Sequence, residues 1–232
     1  MNTENQITSS VNIKEIFTSI QGEGPYVGVN QLFIRFCKCN LNCNYCDTDF
    51  TGGMEFFPNS LKEYIKDKIE TVHSISLTGG EPLLFADFLM QFLPLVNKPI
   101  YLETNATLPE ELEKIIKYVD IISADIKLPS STGMPELWQR HDEFFKIAEQ
   151  YCEKVIDLFA KVVFNSSITD DEIENVVMLC QKYNLELILQ PQTVKDKIGV
   201  NSADINKIFN KFLEKYERTR LIPQVHKFIG VE

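Results

Sequence analysis

Three cysteines on one short run constrain this chain more than any other feature. Cys39, Cys43 and Cys46 stand in the run CKCNLNCNYCD with the spacing C-x3-C-x2-C, which places three thiolates on one loop. A zinc site normally takes a fourth protein ligand from a second Cys or His pair, and no such pair stands nearby in the sequence. Three thiolates without a fourth favour a [4Fe–4S] cluster with one open iron, which binds a substrate or cofactor. A zinc loop and a coincidental spacing are the alternatives.

A second motif lies about thirty residues after the cysteine run. Residues 77–82 read LTGGEP and follow a short apolar run. The adjacent Gly79 and Gly80 let the backbone approach a ligand closely, and Glu81 offers a carboxylate to an ammonium group. A plain turn is the alternative interpretation.

The composition is that of an acidic globular protein. The 232 residues suffice for one large domain, and contents of 44% hydrophobic and 24% charged residues are ordinary. No apolar run reaches the roughly 18 residues of a membrane span, and the polar start MNTENQITSS lacks the core of a signal peptide. We therefore expect residues 1–10 to be a flexible tail and residues 11–232 to form one domain. A net charge of −10 without a basic stretch disfavours nucleic-acid binding.

Three further cysteines stand outside the C-x3-C-x2-C spacing. Four of the six cysteines crowd into residues 37–46, and a chain of this length does not depend on disulfides, so we expect reduced thiols in the cytoplasm. Cys37 ends an apolar strand pattern and is predicted to be a small buried side chain. Cys152 and Cys180 fall in helical patterns and are predicted to lie in the core.

Strand and helix patterns alternate along the chain. This alternation predicts a mainly parallel sheet covered by helices, in which ligands bind at the carboxyl ends of the strands. Both motifs directly follow a predicted strand. Strands are predicted at 32–36, 75–78, 100–103, 121–124, 159–164, 186–189 and 219–222. Helices are predicted at 61–72, 85–96, 109–118, 169–183 and 202–216, the fourth beginning with a capping box at Thr169.

The cysteine spacing and the GGEP element together resemble the radical S-adenosylmethionine (radical SAM) superfamily. In those enzymes the open iron binds the amino and carboxylate groups of SAM, and the GGEP element meets the amino group. The resemblance implies an α/β fold, a partial (β/α)6-type barrel with a mainly parallel sheet in a single domain. It also implies a [4Fe–4S] cluster and SAM as cofactors.

An N-terminal run narrows the resemblance. Residues 17–24 read FTSIQGEG, and a similar F-x-S-x-Q-G-E-G precedes the cluster loop in the 7-carboxy-7-deazaguanine synthase family. The likeness continues through residues 33–35 and 46–48 and returns at residues 222–227, which read IPQVHK. It departs at Lys38, where the family has Gly, at Tyr45, where Trp is more common, and at residues 132–157, which match poorly.

The resemblance implies a substrate and its binding residues. The reaction is the radical ring contraction of 6-carboxy-5,6,7,8-tetrahydropterin to 7-carboxy-7-deazaguanine with loss of ammonia, in queuosine or 7-deazapurine biosynthesis. Arg35 suits the substrate carboxylate, because a guanidinium forms paired hydrogen bonds; a surface arginine is the alternative. Substrate-binding residues are implied at Ile20, Gln21, Gly22, Glu23, Arg35, Thr78, Gln224 and Lys227. SAM-binding residues are implied at Tyr45, Cys46, Asp47, Gly79, Gly80, Glu81, Ser123, Asp125, Lys127 and Gln190.

The resemblance also implies partners. Thr48 follows the Cys–Asp pair and is the expected Mg2+ ligand, with a turn cap as the alternative. An external flavodoxin or ferredoxin is expected to supply the electron, and the protein is expected to be a homodimer. Two other functions stay open: a radical SAM activase that makes a glycyl radical on a partner protein, and a non-enzymatic iron–sulfur or zinc-binding module. The activase need not keep the Gln-Gly-Glu-Gly run.

Overall fold

One large sheet organises the protein. The computed structural model describes residues 9–46, 48–151, 155 and 157–231 of the chain. The strands are β1 Val11–Ile20, β2 Asn30–Phe36, β3 Met54–Phe56, β4 Ser74–Gly79, β5 Ile100–Thr104, β6 Ile121–Asp125, β7 Asp157–Phe164, β8 Glu186–Pro191, β9 Thr193–Val194, β10 Lys197–Ile198 and β11 Thr219–Leu221. Nine of them form the main sheet in the order β11-β8-β7-β6-β5-β4-β2-β1-β3, and β9 and β10 form a separate hairpin.

The parallel part of the sheet matches the sequence prediction. All seven predicted strands exist, as β2, β4, β5, β6, β7, β8 and β11, and each pairs with its neighbour in parallel. The fold is thus the predicted open α/β barrel, with the short β11 as a seventh parallel strand. The sequence prediction missed β1, which pairs antiparallel with β2, and β3, which pairs antiparallel with β1 at the edge of the sheet.

The described part of the chain contains eight α-helices. They are α1 Pro58–Ile65, α2 Ala86–Phe92, α3 Pro109–Ile115, α4 Pro129–Thr132, α5 Trp138–Gln150, α6 Asp170–Lys182, α7 Ser202–Lys215 and α8 Val225–Ile229. The predicted capping box is present: the Thr169 hydroxyl accepts from the Glu172 amide, and the Glu172 carboxylate accepts from the Thr169 amide. The prediction of a helix at 61–72 placed α1 too late, and α5 was not predicted.

The two faces of the sheet bury different side chains. On the outer face, alternate residues such as Leu77, Leu102 and Val162 pack into the main core under the helices. On the inner face, Tyr101 and Phe159 form a small apolar floor with Ile121 and Ile188. The next inward positions toward the carboxyl ends are polar. A polar inner face above an apolar floor makes a binding cavity at the carboxyl edge of the sheet.

Two further observations concern the N-terminal tail and the lengths of the helices. Strand β1 begins at Val11, where the predicted tail ends, and residues 1–8 of that tail lie outside the described residues. No helix in the described ranges is long and apolar enough to span a bilayer.

Candidate active site

A cavity of about 730 Å³ opens at the carboxyl edge of the parallel strands. It brings together residues that are as far apart in sequence as the Gln-Gly-Glu run, the cysteine loop and the C-terminal tail. Its lining includes most of the predicted site residues, namely Gln21, Gly22, Glu23, Arg35, Cys39, Cys43, Tyr45, Cys46, Thr48, Thr78, Gly79, Gly80, Ser123, Asp125, Lys127, Gln190, Gln224 and Lys227.

Three predicted site residues are not part of that lining. Ile20 is the last residue of β1 and pairs with Asn30, outside the cavity wall. Glu81 is fully buried behind the wall. Asp47 lies outside the described residues.

The three cysteines of the motif line the same cavity. Among the residues that the structure describes, no three His, Cys, Asp or Glu side chains are grouped closely enough to hold a single metal ion. In a four-iron cluster each thiolate binds its own iron, so the three sulfurs need to face one space without meeting at a point. Burial raises the pKa of the Cys39 and Cys43 thiols, so their thiolate forms depend on a nearby positive charge such as iron.

Cys37 points away from this group. Its thiol donates a hydrogen bond to the Gly52 carbonyl at 3.4 Å, and a Cβ added to Gly53 would lie 2.7 Å from its sulfur. The side chain is buried, as predicted. Cys37 therefore fastens the end of the cysteine loop to β2. Cys180 is also buried as predicted, whereas Cys152 lies outside the described residues.

The Gly-Gly element supports the cysteine loop through its backbone. Gly80 donates to the Phe36 carbonyl at 3.2 Å, and the Glu81 amide donates to the Lys38 carbonyl at 2.7 Å. A Cβ on Gly80 would lie 1.8 Å from the Lys38 oxygen, and Gly79 has φ +110°. Any larger side chain at either position would displace the start of the cysteine loop.

The Glu81 side chain is hydrogen-bonded within the protein. Its carboxylate accepts hydrogen bonds from the amides of Leu83 and Asn105 and from the Thr104 hydroxyl, at 2.8–3.0 Å. Burial raises its pKa to about 7, although these three donors lower it. The carboxylate thus faces the interior and fixes the loop after β5, and the glycine backbone is what this motif presents to the cavity.

The loop after β6 presents a buried charged group. Lys127 Nζ donates to Asp125 Oδ2 at 2.8 Å and to the Tyr45 hydroxyl at 2.9 Å, and it lies 5.3 Å from the centre of the Tyr45 ring. Burial alone would lower the pKa of Lys127, but Asp125 and its neighbours raise it well above the usual value. This contact ties the last turn of the cysteine loop to β6.

A second buried lysine was not predicted. Lys161 on β7 pairs in register with Asp125 on β6, and its Nζ contacts Glu23 Oε2 at 2.5 Å and Asp125 Oδ2 at 3.6 Å. Burial alone would raise the pKa of Glu23, but the charge and hydrogen bond of Lys161 lower it. The ion pair connects the N-terminal motif to the sheet. A lysine within the apolar run FAKVVF was the sequence signal for it.

Glu103 on β5 was also missed. One oxygen accepts from Gln21 Nε2 at 2.9 Å and the other from the Thr78 hydroxyl at 2.8 Å. Gln21 also donates to Gln31 and accepts from the Glu23 amide, so its side-chain hydrogen bonds are taken by the protein. Gln21 thus holds the Glu103 carboxylate and the backbone of Glu23, and both glutamates line the cavity.

Arg35 is a cationic residue of the cavity lining. It is at the carboxyl end of β2, in register with Thr78, and it lines the cavity. Its Nε donates to Glu15 Oε1 at 2.5 Å, and its guanidinium carbon lies 5.6 Å from the centre of the Phe17 ring. The side chain is about a quarter exposed. Glu15 and Phe17 hold the guanidinium at the cavity edge, where a ligand carboxylate can reach it.

The C-terminal tail closes one side of the cavity. The Val225 amide donates to the Gly22 carbonyl at 2.8 Å, and Gln224 Nε2 donates to Glu23 Oε1 at 2.7 Å. Lys227 forms an ion pair with Asp196 of the β9–β10 turn at 3.2 Å. The C-terminal tail and the N-terminal Gln-Gly-Glu run therefore contact each other.

Two oxygens of the wall lack a partner among the described residues. Asp125 Oδ1 and Gln190 Oε1 are both buried and accept no hydrogen bond. An unpaired buried acceptor is costly, so a bound molecule with several donor groups is expected beside them. The hydroxyl and amino groups of SAM fit this requirement. Ser123 and Thr48 also line the cavity, and Ser123 is buried.

His141 on α5 holds two of these loops together. Its Nε2 accepts from the Lys127 amide at 3.1 Å, so its Nδ1 carries the proton and donates to the Ala106 carbonyl at 3.1 Å. Ala106 has φ 53°, an unusual value for a residue other than glycine. Helix α5 comes from the segment that matched poorly, and it positions the loops after β5 and β6.

The stability of the protein is expected to depend on pH through His141. Burial lowers its pKa from 6.5 to about 4, so folding favours the neutral ring. The neutral ring contributes fully to the free energy of unfolding above the unfolded pKa of 6.5, and this contribution is lost as the pH falls toward 4. Between about pH 7.5 and 4.5 the free energy of unfolding should therefore fall by about 2–3 kcal/mol more in the wild type than in His141→Gln. Urea unfolding of the cluster-free proteins measures this, and parallel pH curves would contradict it.

Comparisons with known proteins identify the family of this chain. The profile of the Radical SAM superfamily matches residues 33–180, which contain both motifs. The chain therefore belongs to the radical SAM superfamily, whose members hold a [4Fe–4S] cluster and SAM. It is 36% identical to the 7-carboxy-7-deazaguanine synthase of Geobacter sulfurreducens, with 94% of this chain and 96% of that protein covered. Identity to the synthase of Archaeoglobus fulgidus is also 36%, with 95% and 98% covered. Within the superfamily, the chain belongs to the 7-carboxy-7-deazaguanine synthase family.

A solved structure supports the fold. The crystal structure of QueE from Escherichia coli matches with a TM-score of 0.63 at 18% identity, covering 94% of this chain and 95% of that chain. The family assignment favours the enzyme over the glycyl-radical activase and over the non-enzymatic module. The residues present also fit the cofactors, because three thiols and two unpaired acceptors face the same space.

Proposed function

We propose that the protein converts 6-carboxy-5,6,7,8-tetrahydropterin to 7-carboxy-7-deazaguanine and ammonia. It acts as a radical carbon–nitrogen lyase in queuosine or 7-deazapurine biosynthesis. The observation that carries this proposal is that one cavity is lined both by the three thiols and by Glu23, Glu103 and Arg35. The carboxylates suit the donor groups of a pterin ring, and the guanidinium suits its carboxylate.

SAM and the pterin are proposed to bind to different parts of the cavity wall. When bound, the cluster and SAM supply the radical that removes a hydrogen atom from the substrate. Asp125 and Gln190 are proposed to accept hydrogen bonds from SAM, and Lys127 and Tyr45 hold that wall in place. Gly79 and Gly80 let the start of the cysteine loop pack closely against the end of β4.

The substrate wall positions the pterin. Glu23 is held ionised by Lys161 and Gln224, and Glu103 is fixed by Gln21 and Thr78. Both carboxylates are therefore oriented before the substrate binds, which reduces the ordering cost of binding. Gln224, Lys227 and the rest of the tail limit access of water from this side.

A magnesium ion is proposed beside the substrate carboxylate. Thr48 lines the cavity and offers a hard oxygen, and Mg2+ commonly keeps several positions for water and substrate. Arg35 and the ion would share the carboxylate charge.

The cellular setting is proposed on chemical grounds. None of the five described cysteines forms a disulfide, and thiols that hold an iron–sulfur cluster need a reducing compartment such as the cytoplasm. An external flavodoxin or ferredoxin would supply the electron. A homodimer is proposed as the oligomeric state.

The test is product formation under anaerobic conditions. The reconstituted protein is incubated with SAM, dithionite, Mg2+ and carboxytetrahydropterin, and carboxydeazaguanine is sought by mass spectrometry. A parallel reaction without Mg2+ should form product more slowly. Cleavage of SAM without any carboxydeazaguanine would contradict the proposed substrate.

Arg35→Lys separates substrate binding from radical generation. A lysine cannot form the paired hydrogen bonds of a guanidinium, so pterin affinity should fall by roughly 1.5–3 kcal/mol. Formation of 5′-deoxyadenosine without pterin should persist, because Arg35 contacts Glu15 and Phe17 rather than the cysteine loop. Anaerobic titration with pterin measures the affinity. Unchanged affinity would assign Arg35 a structural role.

A further inference from the structure

One buried amide reaches a cluster thiol from the loop after β5. Asn105 is 6% exposed, and its Nδ2 donates to Cys39 Sγ at 3.8 Å. The Leu41 amide donates to the same sulfur at 3.4 Å. Cys39 therefore receives one backbone donor from its own loop and one side-chain donor from a different strand end.

A ring of hydrogen bonds fixes which end of the Asn105 amide faces the sulfur. The Thr107 hydroxyl donates to Asn105 Oδ1 at 2.5 Å, and Asn40 Nδ2 donates to the Thr107 hydroxyl at 2.9 Å. Asn105 Nδ2 completes the ring by donating to Asn40 Oδ1 at 2.8 Å. The Thr107 backbone amide also donates to Asn105 Oδ1 at 3.2 Å, and because a backbone N–H can only donate, the oxygen is the end that faces Thr107 and the NH2 group is the end that faces Cys39.

The backbone beneath this amide is also held. The Asn105 backbone amide donates to Glu81 Oε2 at 2.8 Å, and His141 Nδ1 donates to the carbonyl of the next residue, Ala106, at 3.1 Å. Arg140 Nε donates to the Thr107 carbonyl at 3.0 Å. Because the loop is tied on three sides, the donor is placed before any cluster binds.

We propose that Asn105 is a positioning residue that raises the reduction potential of the cluster through its hydrogen bond to Cys39. Donors to a cluster thiolate stabilise negative charge, and the reduced cluster carries one electron more than the oxidised one. The donor therefore favours the reduced form. The inference rests on the iron–sulfur part of the proposed function and not on the identity of the substrate.

The test compares reduction potentials of reconstituted proteins without SAM or substrate. Asn105→Leu keeps the approximate size and removes the donor, and we expect the reduction equilibrium to fall at least tenfold, which is about 59 mV for one electron. Thr107→Val breaks two bonds of the ring and should shift the potential in the same direction by less. Thr132→Val is the control, because its buried hydroxyl donates to the Leu128 carbonyl and not to the ring.

Each outcome decides the proposal. Iron and sulfide content first confirms that each variant holds a cluster, and redox titration followed by electron paramagnetic resonance then gives the potential. A wild-type potential in Asn105→Leu, or an equal shift in the control, would overturn the proposal. If Asn105→Leu does not hold a cluster, Thr107→Val decides, and an unchanged potential or a lost cluster there also overturns it. The reduction potentials can be measured even if the protein forms no carboxydeazaguanine. A failure of the proposed substrate can therefore be distinguished from a failure of the proposed role of Asn105.

Discussion

Replacing Cys39, Cys43 or Cys46 by alanine is expected to abolish cleavage of SAM. Each supplies one of the three thiolates that face the cavity, and a cluster with two protein ligands would not keep one iron open for SAM in a defined position. The loss should be complete within detection, because the reaction has no route without the cluster. Chromatographic assay of 5′-deoxyadenosine and the visible spectrum of the reconstituted protein measure both consequences.

Cys37→Ala is the matched control for this prediction. Cys37 lies two residues before Cys39, yet its thiol contacts Gly52 and Gly53 and does not line the cavity. The variant should keep the cluster spectrum and SAM cleavage, and Cys180→Ala should do the same. Loss of the cluster in Cys37→Ala with its retention in Cys39→Ala would show that the assigned C-x3-C-x2-C register is wrong.

The sequence predicted the parallel sheet well because its strands are buried. Strands covered on both faces form short apolar runs, and all seven such runs became parallel strands. Strand β1 was missed because Lys14 and Glu15 interrupt its apolar pattern, and the pairing register shifts between Ile13 and Glu15. A bulge of this kind breaks the alternation on which strand prediction depends.

Helix α5 was missed for a related reason. Its sequence WQRHDEFFKIAEQ is largely polar, and a buried position of the helix is taken by His141 rather than by an apolar residue. Periodicity identifies a helix by its apolar face, so a functional polar residue on that face weakens the signal. His141 forms its hydrogen bonds with Ala106 and Lys127, which lie in loops distant from it in the sequence.

The site was predicted where motifs are contiguous and missed where it depends on pairing across strands. The cysteine loop, the Gly-Gly element and the Gln-Gly-Glu run are each local in sequence. Lys161 and Glu103 are single polar residues within strands, and they gain their roles only when neighbouring strands align them with Glu23 and Gln21. Glu81 shows the reverse: its motif was recognised, but its carboxylate is turned to the interior.

Lys161→Met is expected to destabilise the fold by about 3–5 kcal/mol, because it leaves the Glu23 carboxylate buried without its countercharge. The side chains of Lys161 and Glu23 are 11% and 18% exposed, so solvent compensates little. Asp125 keeps its contact with Lys127 at 2.8 Å, which makes Glu23 the group that bears the loss. Urea unfolding of the cluster-free protein near neutral pH measures the change.

Two further variants identify the cause. Lys161→Met combined with Glu23→Gln should recover part of the lost stability, because a neutral amide can remain buried beside Gln224 with a smaller desolvation cost. Lys182→Met removes an exposed ion pair with Asp142, whose side chains are 55% and 37% exposed, and should cost less than about 1 kcal/mol. Similar losses in Lys161→Met and Lys182→Met would mean that the Glu23–Lys161 pair is not a buried structural link between the N-terminal motif and the sheet. If the pair is that link, the single variant should also bind pterin more weakly, since Glu23 would no longer be held against β7.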